Sequence, residues 1–109
     1  MKDRRRFKRY YRSLPVKIEW EGHTLEGQLM DLSMTGAGCY INKRIPLYSE
    51  LKIHFMPEDP FTSEDEMFSC SGTVVRCCRS SNEKSYQLGI FFTHLSEDIL
   101  SRIMDLAYY

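Results

Sequence analysis

Apolar and polar residues alternate with period two along most of this chain, and the period changes only near its end. Pro15-Val16-Lys17-Ile18-Glu19-Trp20 alternates, and Glu21-Gly22-His23 makes a turn into a second strand, Thr24 to Leu32. The alternation slips in that second strand around Gln28. Asp31 to Gly38, with its glycines and hydroxyls, reads as a connection into a short apolar strand, Cys39-Tyr40-Ile41. Residues 42–48 read as a loop, because Pro46 fits poorly inside a central strand. Glu50 to Met56 alternates again, with Leu51, Ile53 and Phe55 on one face. An acidic loop from Pro57 to Glu66 leads to a long strand, Met67 to Arg79. The polar turn Ser80 to Lys84 folds that strand back onto Ser85 to Thr93 as a hairpin.

A helical period takes over after residue 95. Ile99, Leu100, Ile103, Met104 and Ala107 recur as one stripe. Ser96 suits the N-cap, and Glu97 and Asp98 favour the positive end of the helix dipole. The order is a basic arm, about six strands and one C-terminal helix. That is a mainly-β class, a small antiparallel barrel or sandwich with the helix over an open end or side. A length of 109 residues suits one core, with no repeat or linker. The expected division is an arm of residues 1–13 and a barrel body of residues 14–109.

Composition alters the picture through charge and not through hydrophobicity. Fifteen basic and fifteen acidic residues cancel, but residues 1–17 hold eight of the bases and only one acid, Asp3. The remainder carries seven bases against fourteen acids. A cationic arm on an acidic body is a ready anion site. No apolar run approaches the roughly 18–20 residues that cross a bilayer, so no membrane span is expected. The basic start lacks the apolar stretch of a signal peptide, so a cytoplasmic location is expected.

Enzyme constellations are missing from the sequence. It has no P-loop, nucleophile elbow, H-E-x-x-H or dinucleotide fingerprint. No catalytic residue or cofactor is assigned, and the chain reads as a non-enzyme. Cys39, Cys70, Cys77 and Cys78 lack paired metal-ligand spacing, and His23, His54 and His94 are scattered. The cysteines therefore read as reduced and packed, with no metal site.

Two motifs remain. Arg4-Arg5-Arg6-Phe7-Lys8-Arg9 contains R-x-x-x-R at Arg5 and Arg9, and Asp31-Leu32-Ser33-Met34-Thr35-Gly36 reads D-x-S-x-x-G. In this order they resemble the PilZ family of cyclic di-GMP receptors. Ser71-Gly72-Thr73-Val74-Val75-Arg76 is similar to the family's glycine-led fifth strand. Leu88-Gly89-Ile90-Phe91-Phe92 is similar to the strand before its terminal helix. The likeness runs from Arg4 to near Ala107, departing from common patterns at Lys8, where proline is frequent, and in the long acidic loop.

The resemblance implies a six-stranded antiparallel β-barrel with a C-terminal helix. It implies cyclic di-GMP binding by Arg5 and Arg9, flanked by Arg4 and Arg6, together with Asp31, Ser33 and Gly36. Arg76 is a further candidate near that site. In the family, an arginine placed like Arg4 tends to go with a stacked ligand dimer; the protein itself is expected as a monomer or a ligand-dependent dimer. A downstream effector protein is the expected partner, and no nucleic acid is expected.

The chemistry suits the ligand. Guanidinium groups fork onto phosphate oxygens and onto guanine O6 and N7. A carboxylate accepts from guanine N1–H and the exocyclic amine. Binding is expected to draw the arm onto the barrel and change the surface offered to a partner. Two other readings use the same residues. One is a nucleic-acid-binding module with Tyr10 or Tyr11 stacking on bases; the other is a PilZ-like protein-interaction domain without ligand binding.

Overall fold

Alternation from Val16 onward puts every second side chain on one side of a strand, and six such strands roll up around those side chains. The computed structural model describes residues 10–56, 68–81 and 84–108. Its elements are β1 (Tyr10–Trp20), β2 (His23–Leu32), β3 (Gly36–Ile41), β4 (Glu50–Phe55), β5 (Phe68–Arg79), β6 (Tyr86–Thr93) and α1 (Glu97–Tyr108). The strands form a closed barrel in the order β1-β2-β3-β6-β5-β4, and every neighbouring pair is antiparallel. The expected mainly-β barrel with a C-terminal helix is what the chain builds. Arg4, Arg5, Arg6, Arg9 and the acidic loop lie outside the described residues.

A six-stranded barrel is narrow enough for side chains to fill it. Val16, Ile18, Leu29, Cys39, Ile53, Phe55, Val74 and Leu88 do so, each almost fully buried. Phe55 stacks on Phe68 with ring centroids 4.6 Å apart and meets Phe92 edge-on at 6.4 Å. Such aromatic pairs add about 0.5–1.5 kcal/mol each beyond area burial.

The helix begins where its cap was expected. Ser96 Oγ accepts from the Ile99 amide at 3.2 Å, and the Leu100 amide bonds the Ser96 carbonyl. Ile103 and Leu106 are buried in the barrel core, and α1 touches β1 and β5, which do not adjoin. A helix bridging two separated strands spans the mouth of the barrel. No helix among the described residues is long and apolar enough to cross a membrane.

Three boundaries differ from the periodicity. β1 starts at Tyr10, five residues before Pro15, and Pro15 lies just outside the β4 ladder, which begins at Val16. There a residue without an N–H is tolerated. β3 starts at Gly36, so the glycine-bearing stretch read as a connection is largely strand. The reason is crowding: a Cβ on Gly36 would collide with the Ile90 carbonyl oxygen across the β3–β6 ladder. The slip in β2 falls at Met30, not Gln28.

Candidate functional site

Strict alternation would turn Asp31 and Arg76 into the barrel. Leu29 is buried on β2, so Asp31, two residues on, would follow it inward; Val74 and Arg76 stand in the same relation on β5. Each strand instead carries an irregularity between these residues. On β2, Leu29 pairs Cys39 and Asp31 pairs Gly38, leaving Met30 as the extra residue against β3. On β5, Val74 pairs Ile90 and Arg76 pairs Gly89, leaving Val75 extra against β6 and 53% exposed. One added residue reverses the phase of a strand, as bulges do. Leu32 and Cys77 therefore return to the core, while Asp31 and Arg76 face outward.

The register then lines up one row across the outer wall. Tyr11 pairs Asp31, Asp31 pairs Gly38, Gly38 pairs Gly89, and Gly89 pairs Arg76. The two middle members have no side chains. A Cβ on Gly38 would stand 2.9 Å from Asp31 Oδ1 and 3.2 Å from Oδ2, so glycine leaves room for the carboxylate to lean over β3. The result is a trough of about 300 Å³ with Asp31 at one end, Arg76 at the other, Met30 and Gln87 alongside and a glycine floor. Gln87 Nε2 donates to Tyr40 Oη at 3.2 Å.

Ser33 and Gly36 are elsewhere. Ser33 is 2% exposed, and its Oγ accepts from the amides of Thr35 and Gly36 at 3.3 and 3.2 Å. Its own amide donates to the Gly36 carbonyl at 2.9 Å. The hydroxyl is thus spent on the β2–β3 turn, a known use of serine beside a tight connection. Of the motif residues among those described, Asp31 alone reaches the trough, and Ser33 and Gly36 frame the turn that carries it.

Beneath the trough lies Cys39, fully buried on β3. Burial first, and the negative charge of Asp31 second, push its thiol up to about 12. Burial pushes Cys70 up to about 11. Both stay protonated thiols at neutral pH, poor as nucleophiles or ligands.

Gly89 is the part of the floor that motif reading did not reach. Glycine inside a strand run, as in Gly36-Ala37-Gly38-Cys39 and Leu88-Gly89-Ile90, is itself a signal of close approach. Only the register shows that Gly38 and Gly89 are partners.

A family model described as PilZ domain matches residues 3–109. No curated protein matches the chain. Among solved structures the chain is similar to the Bacillus subtilis inhibitor of motility MotI/DgrA, with a TM-score of 0.78 at 14% identity. That alignment covers 97% of this chain and 50% of the other, so this chain spans half the length of MotI/DgrA. The PilZ domain of Escherichia coli YcgR, solved with c-di-GMP, gives a TM-score of 0.69 at 17% identity, covering 97% and 90%. Borreliella burgdorferi PlzA in complex with c-di-GMP gives 0.60 at 15%, covering 93% and 50%. At such identities the structural likeness is one of fold, and it is the family model, matching almost end to end, that decides membership: the chain belongs to the PilZ domain family.

Proposed function

We propose that this chain is a receptor domain for cyclic di-GMP. The observation that carries the reading is Asp31, turned outward by the Met30 bulge onto a floor without side chains. A carboxylate in that position can accept from guanine N1–H and the 2-amino group while the base lies flat on the sheet. Family membership and the ligand in the YcgR and PlzA structures support the choice of dinucleotide.

In this proposal Arg5 and Arg9, with Arg4 and Arg6, supply charge-assisted hydrogen bonds to the phosphates and a guanine edge. The division into an arm of residues 1–13 and a barrel of residues 14–109 belongs to the same reading. Since β1 begins at Tyr10, the end of that arm already runs beside Asp31, which pairs Tyr11. Ligand bridging arm and barrel would neutralise clustered positive charge and change the surface presented to a downstream protein.

Isothermal calorimetry with cyclic di-GMP, with GTP and cyclic GMP as controls, tests the reading. Micromolar binding, about −8 kcal/mol, is expected for the dinucleotide and not for the controls. Folded protein that gives no heat at saturating dinucleotide would end it.

A further inference from the structure

Among the described residues four large apolar side chains stand exposed, Leu47, Tyr48, Val75 and Phe91, and the fold collects all four. Leu47 and Tyr48 are the central pair of a turn closed by the Ser49 amide on the Pro46 carbonyl at 3.3 Å. The Tyr48 amide donates to the Val74 carbonyl at 2.7 Å, which docks the turn beside β5 next to Val75. On the other side of β5, Phe91 pairs Thr73 and faces out from β6. The result is an apolar strip running obliquely across the barrel wall, over two strand spacings or ~10 Å.

Two of the four are held out at a cost. Tyr48 has a φ of 68° and is 77% exposed, in a turn position that suits glycine or asparagine. Val75 is the extra residue of the β5 bulge, exposed where regular pairing is given up. Backbone strain and a broken ladder that both end in open apolar surface are the marks of a contact face. None of the four borders the depressions of about 550, 350 and 300 Å³. The strip therefore presents a face to a macromolecule and not a cavity to a small ligand.

Charge and area choose the macromolecule. Glu50 flanks the strip on the β4 side, pairing Thr73, and Arg76 flanks it on the β6 side, following Val75 and pairing Gly89. Both are exposed, and neither has an ion-pair partner among the described residues. A two-fold axis along the strip lays it on its own copy and carries Glu50 of each over Arg76 of the other. A lipid surface or a partner of one charge sign would leave one flank unanswered. At their exposures the four side chains leave on the order of 400 Å² open. That is short of the ~800 Å² per partner of a standard interface and matches a weak, reversible one.

We infer that this strip is a homodimer interface, joining two copies of the chain face to face with a Glu50–Arg76 pair on each flank. The association needs no ligand, so it stands or falls apart from the receptor reading.

Sedimentation equilibrium of the full chain without dinucleotide tests it. A reversible monomer–dimer equilibrium is expected, with a Kd on the order of tens of micromolar. Phe91→Glu and Tyr48→Gly should each weaken it by about tenfold or more. Glycine suits the backbone at position 48, so the urea midpoint of Tyr48→Gly should hold while the dimer is lost. Glu50→Arg and Arg76→Glu should each be monomeric alone and form a heterodimer when mixed, because each new charge then meets its opposite. Loss of structure cannot produce that rescue. A wild type still monomeric at about 500 μM, far above the expected Kd, would overturn the inference. So would a dimer that survives Phe91→Glu, or charge variants that are folded by circular dichroism and do not restore one another.

Discussion

Of the depressions in the barrel wall two invite comparison, and the larger of these is the poorer candidate. One of about 550 Å³ lies between the β1–β2 hairpin and the end of β6, bordered by Glu19, Glu21, Glu50, Lys52, His23 and His94. Three carboxylates against one ammonium make it a poor seat for a dianion. The trough holds only about 300 Å³, with one carboxylate and one guanidinium among the described residues over bare backbone. Their glycines differ in kind as well. Gly72, bordering the large depression, faces inward, where a Cβ would strike the Ile90 side chain and stand 3.0 Å from the Phe91 carbonyl oxygen. Gly38 faces outward, and its nearest neighbours are atoms of the Asp31 side chain. One glycine serves packing; the other clears space for a ligand. Volume is thus a weaker guide than what stands on the floor and what charge rims it.

The sharpest way to break this contrast is to exchange the effects of the two glycines. Gly38→Val should cost cyclic di-GMP at least about a hundredfold in affinity, a loss of ~2.7 kcal/mol or more, by displacing Asp31 and roofing the floor. Its unfolding midpoint should stay near wild type, because the crowded neighbour is one mobile side chain. Gly72→Ala should do the reverse, losing ~1–3 kcal/mol of stability by overpacking while the folded fraction binds normally. Calorimetry and urea melts on both variants measure the two axes. If Gly38→Val unfolds and still binds, the contrast fails.

Asp31→Asn is the next largest effect. The amide keeps the shape but presents a donor where guanine N1–H and its amine are donors too. Affinity should fall roughly ten- to a hundredfold, about 1–3 kcal/mol. The same change withdraws the negative charge that helps hold the Cys39 proton. Titration of the Cys39 thiolate by ultraviolet absorbance should then shift downward, with burial still keeping it above its ordinary value.

That thiol also makes stability depend on pH in a window of its own. Folding raises the Cys39 pKa from 9.0 to about 12, so between those values the native state holds a proton that the unfolded chain has lost. The stabilisation is full below pH 9 and declines as pH rises toward 12, at a limit of ~1.4 kcal/mol per pH unit. Cys70, raised to about 11, adds to the decline over a narrower window. Urea midpoints from pH 8 to 10.5 should fall in wild type and fall less steeply in Cys39→Ala. Parallel slopes would mean that the thiol is not buried as described.

Much of this architecture was legible from residue pattern alone, and the failures share one cause. β4, β5, β6 and the Ser96 cap are local: period two, a polar turn and a hydroxyl before Glu97-Asp98 suffice to place them. The bulges at Met30 and Val75 are not local. Whether a strand holds an extra residue depends on the partner that fails to match it, so nothing in Leu29-Met30-Asp31 marks the slip. The same holds for Gly36 to Gly38, where turn-like composition hides a strand that needs glycine for contact with β6. Asp31 was found through its motif, and Ser33 came with it. The hydroxyl's service to its own turn became visible only with the fold.

The smallest expected effect is the most direct test of which depression matters. Among the described residues Lys52 is the one lysine or arginine bordering the larger depression, so Lys52→Gln removes the attraction its ammonium gives that surface for an anion. The two surfaces share strands, which gives their separation. Along β6 the trough meets Gly89 and the depression meets Thr93, four residues and ~13 Å away; along β2 they meet Met30 and Thr24, six residues and ~20 Å away. Both distances exceed the screening length of about 8 Å at physiological salt, so the Lys52 charge is barely felt at the trough. Affinity for cyclic di-GMP should therefore change less than about twofold, within ~0.4 kcal/mol. A tenfold loss in Lys52→Gln, with Gly38→Val binding as wild type, would move the site to the acidic depression and invert the comparison.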